Sequence, residues 1–256
     1  MQEEEDKMKI IWLSANLFGL RLLEEAVKHV DISAIITLSD KSKTTMYDGV
    51  NKRRWYKFGI DVYEIEDINK ETQLLKKLNP DLIIMCGWRQ VLSPEVLKIP
   101  KMGVVGFHPT MLPEGRGPAP IINTILKGFK KSGVTMFFVS NGLDNGDIIN
   151  QVAFGIKDND HAWEVYRKAT GAGKLLISNS LPSLISGEIS IIKQDDKNAT
   201  VFDKLSIKDN KIDLEKESLD QIYRKIKALS KPYQGAFIEK DGKRLRIWKA
   251  SLEDIQ

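Results

Sequence analysis

The sequence predicts an α/β fold: a Rossmann-like, doubly wound and mainly parallel sheet with a small C-terminal helix-plus-hairpin subdomain. Two observations carry this. Short apolar runs rich in strand formers, "KIIWL", "ISAIITL" and "DLIIMC", alternate with stretches whose apolar residues recur at helical spacing. Alternation at that interval implies right-handed βαβ units, which lay parallel strands side by side under flanking helices. A chain of 256 residues can hold one large α/β domain, or a somewhat smaller one with a small appendage, and either buries an ample core.

The elements follow in order. "MKIIWLSA" reads as the opening strand, and Leu17, Leu20, Leu23, Val27 and Val30 mark a helix after it. "DISAIITLS" is the next strand, "TTMYDGVNKRRWYKFG" a polar, part-helical connection, and "IDVYEI" a short strand. "ETQLLKKLN" is helical, and "PDLIIMCGW" is a strand whose unbroken apolar character buries both faces. The strand "MGVVGF" then runs into "HPTMLPEGRGPAP", whose prolines and glycines exclude helix and strand and fix a loop. "APIINTILKG" is a helix with proline at its start, and "SGVTMFFVS" and "IINQVAFGI" are strands joined antiparallel through a tight turn, "NGLDNGD".

"DHAWEVYRKATGAGKLLISNSLPSLISG" is one long amphipathic helix or two, with a weak point at Gly171 and Gly173 and a stop at Gly187. From "DDKNATVFDKLS" onward the composition turns polar, the best linker candidate. Beyond it, Leu219, Ile222, Ile226 and Leu229 form one apolar helix face, and "AFIEKDGKRLRIWKA" is a hairpin turned on Asp241 and Gly242. A helix and a hairpin make no independent core, so this part is expected to pack on the main domain. The expected divisions are a disordered extension over 1–7, a catalytic domain over 8–196 and a small subdomain over 197–256.

Composition bounds the function. Thirty-nine basic against 35 acidic residues, a net charge of +4, give a mixed surface and no nucleic-acid-binding stripe. The lone cysteine, Cys86, excludes an internal disulfide framework. No apolar run is long enough to cross a bilayer and no leader is apparent, so a soluble, cytoplasmic protein without a membrane partner is expected. G-x-G-x-x-G is absent after the first strand, where "SANLFGL" stands, which argues against a dinucleotide there.

Of three histidines, His29 ends the first helix and His161 begins a later one, both ordinary surface positions. His108 differs, because it stands at the carboxyl end of an apolar strand and opens a rigid loop. An imidazole accepts and returns protons near neutral pH and needs an orienting or charge-balancing partner. The turn "NGLDNGD" supplies Asp144 and Asp147, and the doubly wound layout lets the two turns meet over one sheet edge.

His108-Pro109-Thr110-Met111-Leu112-Pro113, Arg116-Gly117-Pro118-Ala119-Pro120, Gly133-Val134-Thr135 and Gly142-Leu143-Asp144-Asn145-Gly146-Asp147 together closely resemble the folate-dependent formyltransferases that use 10-formyltetrahydrofolate. "QDDKNAT", "NKIDLEKE" and "KALSKPYQGAF" are similar to that family's later landmarks, so the resemblance covers nearly the whole chain. It implies direct attack of an amine on the formyl carbonyl, with neither metal nor covalent enzyme intermediate. It makes His108 the proton shuttle or oxyanion stabiliser and Asp144 the residue that holds its protonation state. Arg116, with Pro113 and Gly117, would orient the loop or bind substrate. The pterin would be gripped around Met85, Gly87, Trp88 and Leu92 and by the turn Val139, Ser140 and Asn141, with Cys86 a buried spectator.

One departure stands out. The family pattern has an asparagine two residues before the histidine, as donor to the formyl oxygen, and this chain has Gly106. A backbone N–H, a water or Asn145 is the expected substitute. Relatives that act on initiator methionyl-tRNA continue into a C-terminal barrel domain, whereas this sequence stops after its hairpin. The resemblance therefore implies a shorter, sugar-acting design, also carried by Lys231-Pro232-Tyr233-Gln234-Gly235-Ala236-Phe237. The expected acceptor is a nucleotide-linked amino-deoxysugar such as a 4-amino-4,6-dideoxyhexose, and a homodimer is expected. The alternatives are methionyl-tRNA formylation with a reduced C-terminal domain and a non-catalytic folate-binding protein.

Overall fold

The apolar runs lie side by side in the computed structural model, which describes residues 7–44 and 47–255. Most of the acidic N-terminal extension therefore lies outside the described residues. The elements are β1 (Ile10–Leu13), α1 (Leu17–Ala26), β2 (Ala34–Leu38), α2 (Arg53–Tyr56), β3 (Val62–Ile65), α3 (Thr72–Leu78), β4 (Leu82–Cys86), α4 (Pro94–Leu97) and β5 (Val104–His108). Then come α5 (Pro120–Leu126), β6 (Lys131–Phe138), β7 (Ile148–Gly155), α6 (Ala162–Ser186), α7 (Leu219–Leu229), β8 (Ala236–Lys240) and β9 (Lys243–Ile247). Seven strands form one sheet in the order β3-β2-β1-β4-β5-β6-β7. The first five are mutually parallel, and β6 and β7 extend the sheet antiparallel. The strand order reverses between β1 and β4, and ligands bind beyond the carboxyl ends of such sheets.

Every residue of β1 and β2 is buried, because helices cover both faces; hence their almost wholly apolar sequences, with Thr37 the one polar residue. Trp12, Leu22, Val105, Met136 and Leu176 lie in the core on one face, and Ile11, Leu13, Ile83 and Val96 in that on the other. Among the described residues no helix is long and apolar enough to cross a membrane.

Three expectations need correction. Of the two alternatives for the segment from Ala162 to Ser186, the structure has the single long helix. Gly173 is no weak point, since a Cβ there would stand 3.0 Å from Leu22, and its absence lets α6 approach α1 closely. The link between β6 and β7 spans residues 139–147 and is longer than a tight turn. Leu219 is 68% exposed at the start of α7, so Ile222, Ile226 and Leu229 make the buried face without it. These three join the main core together with Ala236, so the C-terminal elements share the core of the sheet domain. Their hairpin turns on Asp241 (φ +52°) and Gly242 (φ +68°), the left-handed pair of a two-residue turn.

A polar cluster seals the switch point. Asp48 accepts from Asn16 Nδ2 and Tyr166 Oη, each at 2.8 Å, and pairs with Arg89 Nη2 at 3.2 Å. Asn16 also caps α1 through Gly19 N–H. One carboxylate thus joins the start of α1, the strand-end turn carrying Arg89, and α6.

Candidate active site

β5 ends on His108, which is 7% exposed. Its Nε2 lies 2.8 Å from the Gly115 carbonyl oxygen. A carbonyl only accepts, so Nε2 carries the ring proton and Nδ1 is left as the edge for proton exchange. Nδ1 faces Asp144 Oδ2 at 3.5 Å, an ion-pair separation rather than a well-made hydrogen bond. The same oxygen accepts Gly117 N–H at 2.8 Å. One loop therefore holds both groups, the imidazole through Gly115 and the carboxylate through Gly117. Gly117 does so at φ +102°, a backbone conformation that favours glycine.

The loop is pinned from two sides. Beneath it, Thr135 Oγ1 donates to Thr110 O at 2.8 Å and accepts Leu112 N–H at 3.0 Å. Gln151 Nε2 donates to Leu112 O and to Thr135 Oγ1, each at 2.8 Å. Above it runs the polar segment read as a linker. Thr200 accepts Gly115 N–H at its Oγ1 and Arg116 N–H at its carbonyl, and Phe202 N–H donates to Arg116 O. Arg116 is buried, with Nε and Nη2 on Gln194 Oε1 at 3.0 and 2.8 Å and Nη2 on Asp196 at 2.7 Å. Its guanidinium is thus engaged in holding the loop.

Met85, Trp88, Leu92 and Val139 all belong to the apolar core on the second face of the sheet. Met85, Trp88 and Leu92 lie at or beyond the carboxyl end of β4, whereas Val139, whose N–H donates to Val104 O, lies beside the start of β5 because β6 runs antiparallel. Trp88 Nε1 is buried without a hydrogen-bond partner among the described residues. Gly87, at φ +62°, backs onto Asn16, whose Oδ1 a Cβ would meet at 1.9 Å. Ser140 and Asn141 are exposed, and Ser140 Oγ donates to Asn145 Oδ1 at 2.6 Å. Pro113 faces the overlying segment, its carbonyl accepting Thr200 N–H at 3.2 Å. Asp147 is tied through its carbonyl to Phe138 N–H. Burial pushes the Cys86 thiol well up, which keeps it protonated and inert. His29 contacts Glu25, and His161 Nδ1 lies 3.1 Å from Asn159 O; neither touches the loop residues named above.

The space beside Gly106 is filled. A Cβ there would stand 2.9 Å from Phe137 Cε1 and 2.9 Å from Val139 Cγ2. Phe137 is directly opposite Gly106 in the antiparallel pair, so an aromatic ring covers the glycine. Sequence reading missed Gln151 and Gln194 as loop anchors. Gln194 opens the quoted "QDDKNAT", but amides that bond backbone carbonyls leave no signature in residue type.

Residues 9–181 match the family model described as formyl transferase, and residues 204–256 match that of the formyl transferase C-terminal domain. The expectation that the chain lacks a counterpart of that second domain does not hold. A methionyl-tRNA formyltransferase of Halalkalibacterium halodurans is 33% identical over 95% of this chain and 78% of its own length. Among solved structures, a 4-N formyltransferase from Francisella tularensis is 19% identical and superposes with a TM-score of 0.75, covering 97% of this chain and 99% of its own. An N-formyltransferase from Helicobacter canadensis, in complex with folinic acid and dTDP-3-aminofucose, is 21% identical with a TM-score of 0.71, over 92% and 85%. With the first model spanning most of the sheet domain and the second the C-terminal elements, the chain belongs to the formyl transferase family of one-carbon transferring enzymes.

Proposed function

We propose that the chain moves a formyl group from 10-formyltetrahydrofolate to the amino group of a nucleotide-linked amino-deoxysugar. The observation that carries this is the His108–Asp144 pair, fixed between Gly115 O and Gly117 N–H at the sheet's carboxyl edge. The amine nitrogen attacks the formyl carbon, and the carbonyl electrons move onto oxygen. The amine's proton passes to His108 Nδ1, and Asp144 Oδ2 balances the imidazolium. As the intermediate collapses, the bond from the formyl carbon to the folate nitrogen breaks and that nitrogen takes up the proton. With Phe137 and Val139 beside Gly106, no side chain at position 106 serves the oxyanion.

Met85, Trp88, Leu92 and Val139, all packed in the core of one sheet face, would offer an apolar wall to a pterin, an aromatic plane with a polar rim, and the unpartnered Trp88 Nε1 is a donor available to it. The Helicobacter enzyme, solved with a folate and an amino-sugar nucleotide, and the end-to-end likeness to the Francisella 4-N formyltransferase support the sugar acceptor. A second reading, formylation of methionyl-tRNA, is favoured by the 33% identical relative and by the C-terminal-domain match. Either reading fits a catalytic part over 8–196 and a C-terminal part over 197–256, a division supported by the gap between the two matched stretches, 9–181 and 204–256.

Mass spectrometry of reactions with 10-formyltetrahydrofolate tests both. We expect one formyl group to appear on a dTDP-, GDP- or UDP-linked amino-deoxysugar, and the His108→Asn variant to lose at least 100-fold in kcat. Formylation of charged initiator tRNA alone establishes the second reading. No gain on any acceptor removes both.

A further inference from the structure

Arg116 and the turn bearing Asp144 meet at a single side chain, that of Gln194. Its Oε1 accepts two N–H bonds from Arg116, at 3.0 and 2.8 Å. Its Nε2 donates to Asp144 O at 2.8 Å and to Gly146 O at 2.7 Å. The amide orientation is unambiguous, because a guanidinium only donates and carbonyls only accept. The group at this point must accept on one side and donate twice on the other, and an amide does both where a carboxylate or an ammonium does one.

What Gln194 holds is the backbone of Asp144 itself, a non-glycine residue at φ +47°. That conformation is uncommon for any side-chain-bearing residue and persists only where neighbours impose it. It sets Oδ2 between Gly117 N–H and His108 Nδ1. On its other side Gln194 fixes Arg116, whose own backbone pairs with Thr200 and Phe202, so loop and turn are tied to one amide. We infer that Gln194 is a positioning residue for formyl transfer, acting through Asp144 by fixing the carboxylate against His108. The inference rests on the reading that His108 and Asp144 carry the reaction.

Two substitutions separate its parts. Gln194→Glu is nearly isosteric and keeps the acceptor for Arg116 but loses both donors to the Asp144 turn. Gln194→Met removes both functions without adding charge. On the acceptor that the screen above returns, we expect either variant, folded at the assay temperature, to lose ten- to a hundredfold in kcat. The KM for 10-formyltetrahydrofolate should change less than threefold, and the pH profile of kcat should change shape. Independently of activity, the Gly117 amide, protected by Asp144 Oδ2, should exchange with deuterium at least tenfold faster in both variants.

Wild-type kcat, pH profile and Gly117 protection in Gln194→Glu overturn the inference, as does a loss confined to KM. If Gln194→Met fails to fold, the isosteric variant decides. Asp144→Asn, assayed beside them, tests the underlying reading. Full activity there removes both that reading and the inference, whereas a loss there with unaffected Gln194 variants removes the inference alone.

Discussion

Gly106 shows how one missing side chain reshapes a site. It lies two residues before His108 on the same strand and so faces the same side of the sheet. Phe137 and Val139 lie against Gly106, and the wall beside the imidazole is therefore apolar. Adding even one carbon overpacks it. Gly106→Ala should lower stability by about 1–3 kcal/mol in urea unfolding, and the penalty should shrink in a Phe137→Leu background. The meeting of His108 and Asp144, 3.5 Å apart, was legible in the sequence because His108 follows an apolar strand and Asp144 sits in an Asn/Gly-rich turn. Residues that act by bonding carbonyls, such as Gln151 and Gln194, were not, because many surface glutamines look the same.

Elements were legible where burial dictates composition. Strands buried on both faces must be mostly apolar, so β1, β2 and β4 announce themselves. Connections were read less well, since the path of residues 139–147 and the unbroken course of α6 depend on tertiary contacts such as Gly173 against Leu22. The polar stretch after α6 is the instructive case. Polar composition reports that a segment buries little apolar surface, not that it touches nothing, and this one pairs backbone to backbone with the His108 loop. The Asp48 cluster is likewise held together across elements by one carboxylate. Burial, and then the Asp48 charge, push the Tyr166 phenol up, so it stays a neutral donor to that carboxylate at any physiological pH. Asp48→Ala leaves Asn16 and the buried Tyr166 hydroxyl without their acceptor, and should lower unfolding free energy by about 2–3 kcal/mol.

Across the whole molecule, the edge opposite the site is tied by a charge. Asp81 accepts Lys9 N–H at the start of β1 and Lys101 Nζ ahead of β5, each at 2.7 Å. The Lys101 bond first, then the Lys9 amide, hold its carboxyl below the ordinary carboxylate value. A lowered folded value means the ionised form stabilises the fold. That contribution is complete above the unfolded value and disappears as pH falls through the folded one. Asp81→Asn should therefore be less stable than the parent by about 1 kcal/mol at pH 7, and the gap should close below about pH 4, measured by urea unfolding across pH.

The segment from Gln194 to Phe202 also bears on how this architecture diversifies. It lies between the stretches matching the two family models, yet its hydrogen bonds are spent on the loop that carries His108. A chimera joined at residue 181 would inherit a foreign clasp over its own His108 loop, whereas one joined beyond Phe202 would keep loop and clasp as a matched set. Exchange of the C-terminal part between relatives is thus constrained to a seam downstream of the segment whose composition most invites a cut.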